Sequence, residues 1–295
     1  MRRAEVFAVG ANRDGFYSSA LQRTKDTIQL MPFFTRDQRK AWRKRLTERR
    51  IAKLANVTTT PAQETNGTVL AIMLTSKPDP QRGEKISTDY AAYLRPWWTT
   101  VNRVGLSGVV LHDGLPADFI ASTTTKHVRF EYIEPGDWPI LHDRHRMFRE
   151  YLEAHDDEYV FITDISDVAF KRDPFQLIRA DRGQHRLFIG SEQKCIGESR
   201  CLRNEITEQF GCLLHAERQV VNPGIVGGVK QEVVHFLERV IACIAEQRQL
   251  LNSDMSIINK VVHDTYAWGE LFTGLPLHSR FKKWEYNSPA AILHK

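Results

Sequence analysis

Residues 158–175 read EYVFITDISDVAFKRDPF, and this stretch decides the fold. An apolar run from Tyr159 to Ile162 stops at Asp164, and a second acid, Asp167, follows three residues later. The chain then turns apolar again before Asp173-Pro174-Phe175. A short, partly β-branched run bounded by polar residues reads as a buried strand. Two carboxylates at its end, beside an apolar wall, repel each other and lose hydration, so they require a compensating charge. A divalent cation supplies one, and Mg²⁺ or Mn²⁺ favours carboxylate oxygens together with phosphates. The alternative is that one acid caps the next turn and the other pairs with Lys171 or Arg172.

Outward from this stretch, strands and helices alternate. TVLAIMLT (68–75), LSGVVLHDG (106–114), HVRFEYI (127–133) and HRLFIGSE (185–192) read as further strands, and VVNPGIVGGV (220–229) as a strand or strand pair. Helical spacing runs through 90–105, with a break expected near Pro96, and through 143–156, where Met147, Phe148, Tyr151 and Leu152 share one side. Residues 230–251 form a long amphipathic pattern, and 253–264 follow with Ser253 or Asp254 as N-cap. This alternation predicts an α/β domain with a mainly parallel, Rossmann-like sheet flanked by helices. In such sheets ligands gather at the carboxyl ends of strands, which puts Ser76, Asp113, Asp164, Asp167 and Glu192 on the ligand edge.

Residues 1–65 read as a basic N-terminal extension and 66–295 as the α/β domain. The net charge is +5, and RDQRKAWRKRLTERRIAK (36–53) holds a large share of the excess. Such a run is either a solvated helix or a contact for an anionic surface, so peripheral membrane contact through this arm is one expectation. At 42% hydrophobic and 26% charged, the chain has an ordinary globular composition. It has no apolar stretch of spanning length and no secretory signal. A cytoplasmic location follows for the chain as it stands, or the Golgi lumen if an N-terminal anchor precedes it. The four cysteines lack CxxC spacing, which argues against zinc. Either Cys195 or Cys201 pairs with Cys212, or all are reduced. The sequence has no GxxxxGK[ST], no GxGxxG after its first strand and no GxSxG, so a metal would have to hold any phosphate.

At this point the residues resemble a family. YVFITDISDVAFKRDPF looks like the acid-x-acid region of GT-A glycosyltransferases, especially the glycogenin-like nucleotide-sugar transferases. Other pieces follow in the same order: VNPGIVGG (221–228) resembles the segment lining the sugar-donor pocket, SDMSIIN (253–259) the segment whose acid sits near donor sugar or acceptor, and AILHK (291–295) the late strand whose His completes the metal site. DRHRMFREYL resembles the helix before the acidic strand, and LFIGSE the strand after it. The resemblance covers roughly residues 68–295. It implies a GT-A-type fold with Mn²⁺ (or Mg²⁺) on Asp164, Asp167 and His294. It implies a nucleotide-sugar donor, in the first place a uridine diphosphate sugar, held by Arg146, Asp113, Asp164, Asn222, Gly224 and Lys295. Asp254 and Glu192 would serve catalysis toward a carbohydrate or glycoprotein acceptor, with no nucleic acid partner. The glycogenin-like order favours retention. The acids are spaced DxxD rather than DxD, Met255 stands where relatives carry Gln, and the sequence given stops one residue after His294, where relatives continue with a Gly and a Lys that touch the diphosphate; either Lys295 does part of that work or the sequence continues beyond it. Asp167 is then the direct ligand, with Asp164 on the ribose or a metal-bound water. Trp97, Trp98 and Trp138 either stack on sugar or base or belong to the core. The rival readings are a nucleotide-binding transferase without turnover, and a non-enzymatic binder of anionic surfaces or nucleic acid acting through the basic arm. A sugar-phosphate nucleotidyltransferase is disfavoured because no Gly-rich loop follows Leu74.

Overall fold

The computed structural model describes residues 35–62, 66–78, 89–281 and 285–295; expectations for residues 1–34 lie outside this set. The chain divides into two compact units, Met1–Arg49 and Arg50–Lys295. The first contains the start of helix α1 (Arg36–Ala55). All of the sheet lies in the second.

The elements follow as β1 (Gly67–Met73), α2 (Tyr90–Val104), β2 (Ser107–His112), α3 (Ala117–Thr123), β3 (Val128–Tyr132), α4 (Ile140–Ala154), β4 (Tyr159–Thr163), β5 (Val168–Phe170), α5 (Phe175–Asp181), β6 (Leu187–Cys195), α6 (Arg200–Phe210), β7 (Gln219–Val229), α7 (Lys230–Ala245), α8 (Met255–Thr265), β8 (Leu271–Phe272) and β9 (Ile292–His294). A seven-stranded sheet takes the order β3-β2-β1-β4-β7-β6-β8. β7 alone runs against the others, pairing antiparallel with β4 and β6. A separate two-stranded ribbon joins β5 to β9. The chain is therefore α/β, with a mainly parallel sheet flanked by helices.

Both sheet faces are covered, which is why the strands read as continuous apolar runs. Successive side chains alternate between the faces. Leu70, Val160 and Ile162 pack toward α4, α7 and α8 through Phe148, Phe236 and Ile258. Val69, Ala71 and Phe161 pack toward α2 and α5 through Trp97, Val101 and Phe175. Leu54 and Val57, ahead of the first strand, pack with Ala169, Ala290 and Leu293. Residues 50–62 thus fall in the second unit, with Leu54 and Val57 against the ribbon, although the sequence places them in the extension.

Pro96 does not break α2. It sits inside the helix, which is capped by the Asp89 carboxylate accepting from the Ala92 N–H and closed by Gly105 at φ 83°. Burial of Leu94, Trp97 and Val101 holds the helix across the hydrogen bond that proline cannot make. The long pattern at 230–251 ends as helix at Ala245, and β6 runs on to Cys195, three residues beyond the expected strand.

The chain order reverses between β1 and β4, the switch point at which open α/β sheets form a crevice. Because β7 is reversed, its first half lies beside the carboxyl end of β4: Thr163 pairs with Ile225, and the Asp164 N–H donates to the Gly224 carbonyl at 3.0 Å.

Candidate functional site

The site begins where β4 ends. Asp164 is the first residue past the strand, and Asp167 the last before β5. β5 is held by β9 in a register that sets Val168 opposite His294. A ladder between segments distant in sequence therefore carries the imidazole to the acids. The Lys295 N–H adds a bond to the Asp167 carbonyl at 3.2 Å, and Ser279 Oγ accepts from the His294 N–H at 3.2 Å. His278 braces the same segment. Its Nε2 accepts from the Ser191 and Gly274 N–H groups at 3.1 and 2.9 Å, while its Nδ1 donates to the Ser279 carbonyl. Burial keeps it neutral, lowering its pKa to about 4.

One donor atom each from Asp164, Asp167 and His294 lies within 4.8 Å of the others. His294 Nε2 is 3.6 Å from Asp164 Oδ2 and 3.9 Å from Asp167 Oδ1. Both distances exceed a hydrogen bond. Neighbouring ligands in an octahedral shell with bonds of about 2.1 Å stand about 3 Å apart, so a small contraction would bring these atoms onto one cation. Two carboxylates and one imidazole form an oxygen-rich set that can hold a divalent cation. Burial alone would depress the imidazolium, but the facing Asp164 and Asp167 carboxylates outweigh it and raise the His294 pKa.

Gly224 closes the back of this group. A Cβ there would run into the His294 ring and come within 2.8 Å of Asp164 Oδ2. Glycine at 224 thus lets the backbone of β7 pass directly behind the ligands. The Asn222 side-chain oxygen accepts from the Gly224 N–H at 3.0 Å and fixes this turn of the strand.

A second cluster adjoins the first. Arg144, on α4, donates through its Nε and an Nη to Asp254 Oδ2 at 3.1 and 2.6 Å, and through its other Nη to Asp164 Oδ1 at 3.2 Å. His145 Nε2 lies 2.9 Å from the same Asp254 oxygen. A carboxylate can only accept there, so His145 presents Nε2–H. Burial pushes the Asp254 carboxyl up, but Arg144 and His145 outweigh it and hold it far below the usual range. Asp254 occupies the N-cap position of α8 yet caps nothing; Ser253 Oγ accepts from the Met255 N–H instead. Asp164 is likewise lowered, with His294 and Arg144 overcoming burial.

The two clusters share a cleft of about 860 Å³. Asp164, Asp167, His294, Lys295, Asn222, Gly224, Asp254 and Glu192 all line it. Glu192 pairs with Lys194 at 3.0 Å near the end of β6. Three expected residues, Arg146, Asp113 and Ser76, are not among its lining. Arg146 turns outward to Asp143 at 2.9 Å and Glu150 at 2.6 Å, with the Glu134 carbonyl as a third partner. Asp113 clips the ends of β1 and β2 together, accepting from the Thr75 and Ser76 N–H groups at 2.7 and 2.9 Å and from both hydroxyls. These bonds overcome burial and lower its pKa, and they use up the oxygens a ribose would need.

The sequence reading missed Arg144 and His145. The signal was present: 144, 145, 148, 151 and 152 form one helical stripe, whereas 146 belongs with 149, 150 and 153. It also missed Glu205, a cleft-lining carboxyl whose pKa burial raises; a lone Glu on a polar helix carries no such signal. Trp97 is fully buried and donates to Thr163 Oγ1 at 2.9 Å, so it is core. Trp98 donates to the Thr123 carbonyl, and Trp138 packs against the core. Among the described residues, the Tyr93 and Phe281 rings line the cleft. All four cysteines are free thiols. No helix among the described residues is long and apolar enough to cross a membrane. Comparison of the sequence with protein-family models and with curated proteins returns no match.

Proposed function

We propose that this cleft binds a nucleoside diphosphate sugar and transfers its glycosyl group to a hydroxyl acceptor, in the manner of a GT-A-type, glycogenin-like transferase. The observation that carries the reading is the meeting of Asp164, Asp167 and His294 at the carboxyl edge of the sheet, inside a cleft large enough for such a donor.

In this reading Asp164, Asp167 and His294 hold Mn²⁺ or Mg²⁺. The bound cation neutralises charge on the departing diphosphate. The remaining work falls to side chains. Lys295, at the same edge, supplies a second positive charge to the phosphates. The Asn222–Gly224 turn gives a flat wall against which the sugar lies. Asp254 has Oδ2 committed to Arg144 and His145, and its Oδ1 accepts a hydroxyl of the donor sugar. Held ionised far below its ordinary range, Asp254 is a weak base. That favours a retaining course, in which no strong base is needed on the acceptor hydroxyl. Glu192, near the end of β6, orients the acceptor.

The test is thermal stability with a panel of nucleoside diphosphates, with and without Mn²⁺, on the native protein and on Asp167→Ala. A ligand that binds only the folded state raises Tm by mass action. The expected result is a Mn²⁺-dependent rise, largest with uridine diphosphate and lost in the variant. No rise with any nucleotide would remove the reading. A rise without release of nucleoside diphosphate from sugar donors would leave binding without turnover.

A further inference from the structure

The two oxygens of Asp167 face different groups. Oδ1 faces His294 Nε2 at 3.9 Å, and Oδ2 faces the Lys295 ammonium at 3.7 Å. Lys295 is tethered close by, since its own N–H donates to the Asp167 carbonyl. Its side chain is 28% exposed and lines the cleft, and at 3.7 Å the ion pair is not a hydrogen bond. Arg144 lines the cleft too but is held more firmly. Its side chain is 13% exposed, and three short bonds fix it between Asp164 and Asp254. Of these two described cations, Arg144 is therefore locked and Lys295 can leave.

We propose that Lys295 is an internal competitor for the metal and the source of coupling between metal and diphosphate. The inference rests on the proposed function and concerns how its two ligands communicate. Without a divalent cation, the ammonium partly neutralises Asp167. A cation entering the centre takes over that role and releases the ammonium into the cleft. There it meets the next anion available, a diphosphate. The cost of separating Lys295 from Asp167 is then met once, by whichever ligand binds first, and the second binds more tightly. Direct contact between metal and phosphate would couple them in any case. The lysine's share is recognised by two effects of opposite sign at one residue.

The experiment measures Mn²⁺ binding by the loss of the free-ion electron paramagnetic resonance signal, and uridine diphosphate binding by calorimetry with and without Mn²⁺. The native protein, Lys295→Met, Lys295→Arg and Asp167→Ala are compared. Removing one partly exposed ion pair is worth about 2- to 5-fold in a binding constant. Lys295→Met should bind Mn²⁺ alone about 2- to 5-fold more tightly than the native protein. It should bind the diphosphate more weakly by a similar factor only when Mn²⁺ is present. Lys295→Arg keeps the charge and should stay near native in both measurements. Equal Mn²⁺ affinity in Lys295→Met and native protein overturns the inference and leaves the metal reading intact. So does a loss of diphosphate affinity of the same size with and without Mn²⁺. Absence of Mn²⁺ binding by the native protein, or its persistence in Asp167→Ala, overturns the metal reading and the inference together.

Discussion

Arg144 holds two carboxylates at once, the buried Asp254 at 2.6 Å and the half-buried Asp164 at 3.2 Å. Removing one partner of a buried ion pair leaves uncompensated charge and costs about 3–5 kcal/mol. Arg144→Ala should therefore lower the unfolding free energy in urea by about that amount. Arg144→Lys should recover less than half, because a single ammonium cannot reach both acids through a planar fork. A loss below about 1 kcal/mol in Arg144→Ala would mean that the acids find other partners. At this scale legibility was uneven. Asp164 and Asp167 stand out because they interrupt an apolar run. Arg144 was legible in the helical stripe and was passed over for Arg146, two positions away and on the far side of α4. Asp113 was not legible as a clip, since its partners Thr75 and Ser76 lie 38 and 37 residues away.

At the scale of elements, two meetings make the site. β9 pairs with β5, and β7 runs backward beside β4. Apolar runs reveal where strands lie but not which ones pair, so His294 could be placed near the acids only through the family resemblance. The reversal of β7 carries no local signal either, except that glycines recur in it. Gly227 lies under the Phe161 ring and Gly224 behind His294, both too close for a Cβ. Gly224→Ala should push the His294 ring away from the acids. Its effect should fall on the centre more than on the fold: Mn²⁺ affinity lower by at least about 10-fold, with far-ultraviolet circular dichroism unchanged. Native Mn²⁺ affinity in Gly224→Ala would place the cation elsewhere.

At the scale of the molecule, the α/β class was legible from alternation alone, because both faces of the sheet are covered and the period of apolar residues changes cleanly between strand and helix. The unit boundary after Arg49 was not, because it falls inside a run whose pattern reads as one helix. The whole molecule also carries a pH signature. His142 and His278 are buried and His263 is half-buried, and desolvation lowers the pKa of each to about 4. Unfolded histidine titrates near 6.5, so between about pH 6.5 and 4 the unfolded chain binds more protons than the folded one. Stability contributed by the neutral folded forms is present above that window and is lost as pH falls through it. At pH 5 each histidine should cost about 1–2 kcal/mol relative to pH 7.5. Urea unfolding at the two pH values should show this loss, and His278→Gln should reduce it. An unfolding free energy independent of pH across this range would contradict the buried neutral assignment.

The central claim is that Asp164, Asp167 and His294 form one cation site. The most direct measurement is anomalous diffraction from crystals of the full chain soaked in Mn²⁺ with uridine diphosphate. The account predicts a single strong anomalous peak about 2.2 Å from one atom of each of the three residues, in contact with the diphosphate. Nucleotide bound in the cleft with no anomalous peak there, or Mn²⁺ bound away from His294, would contradict it.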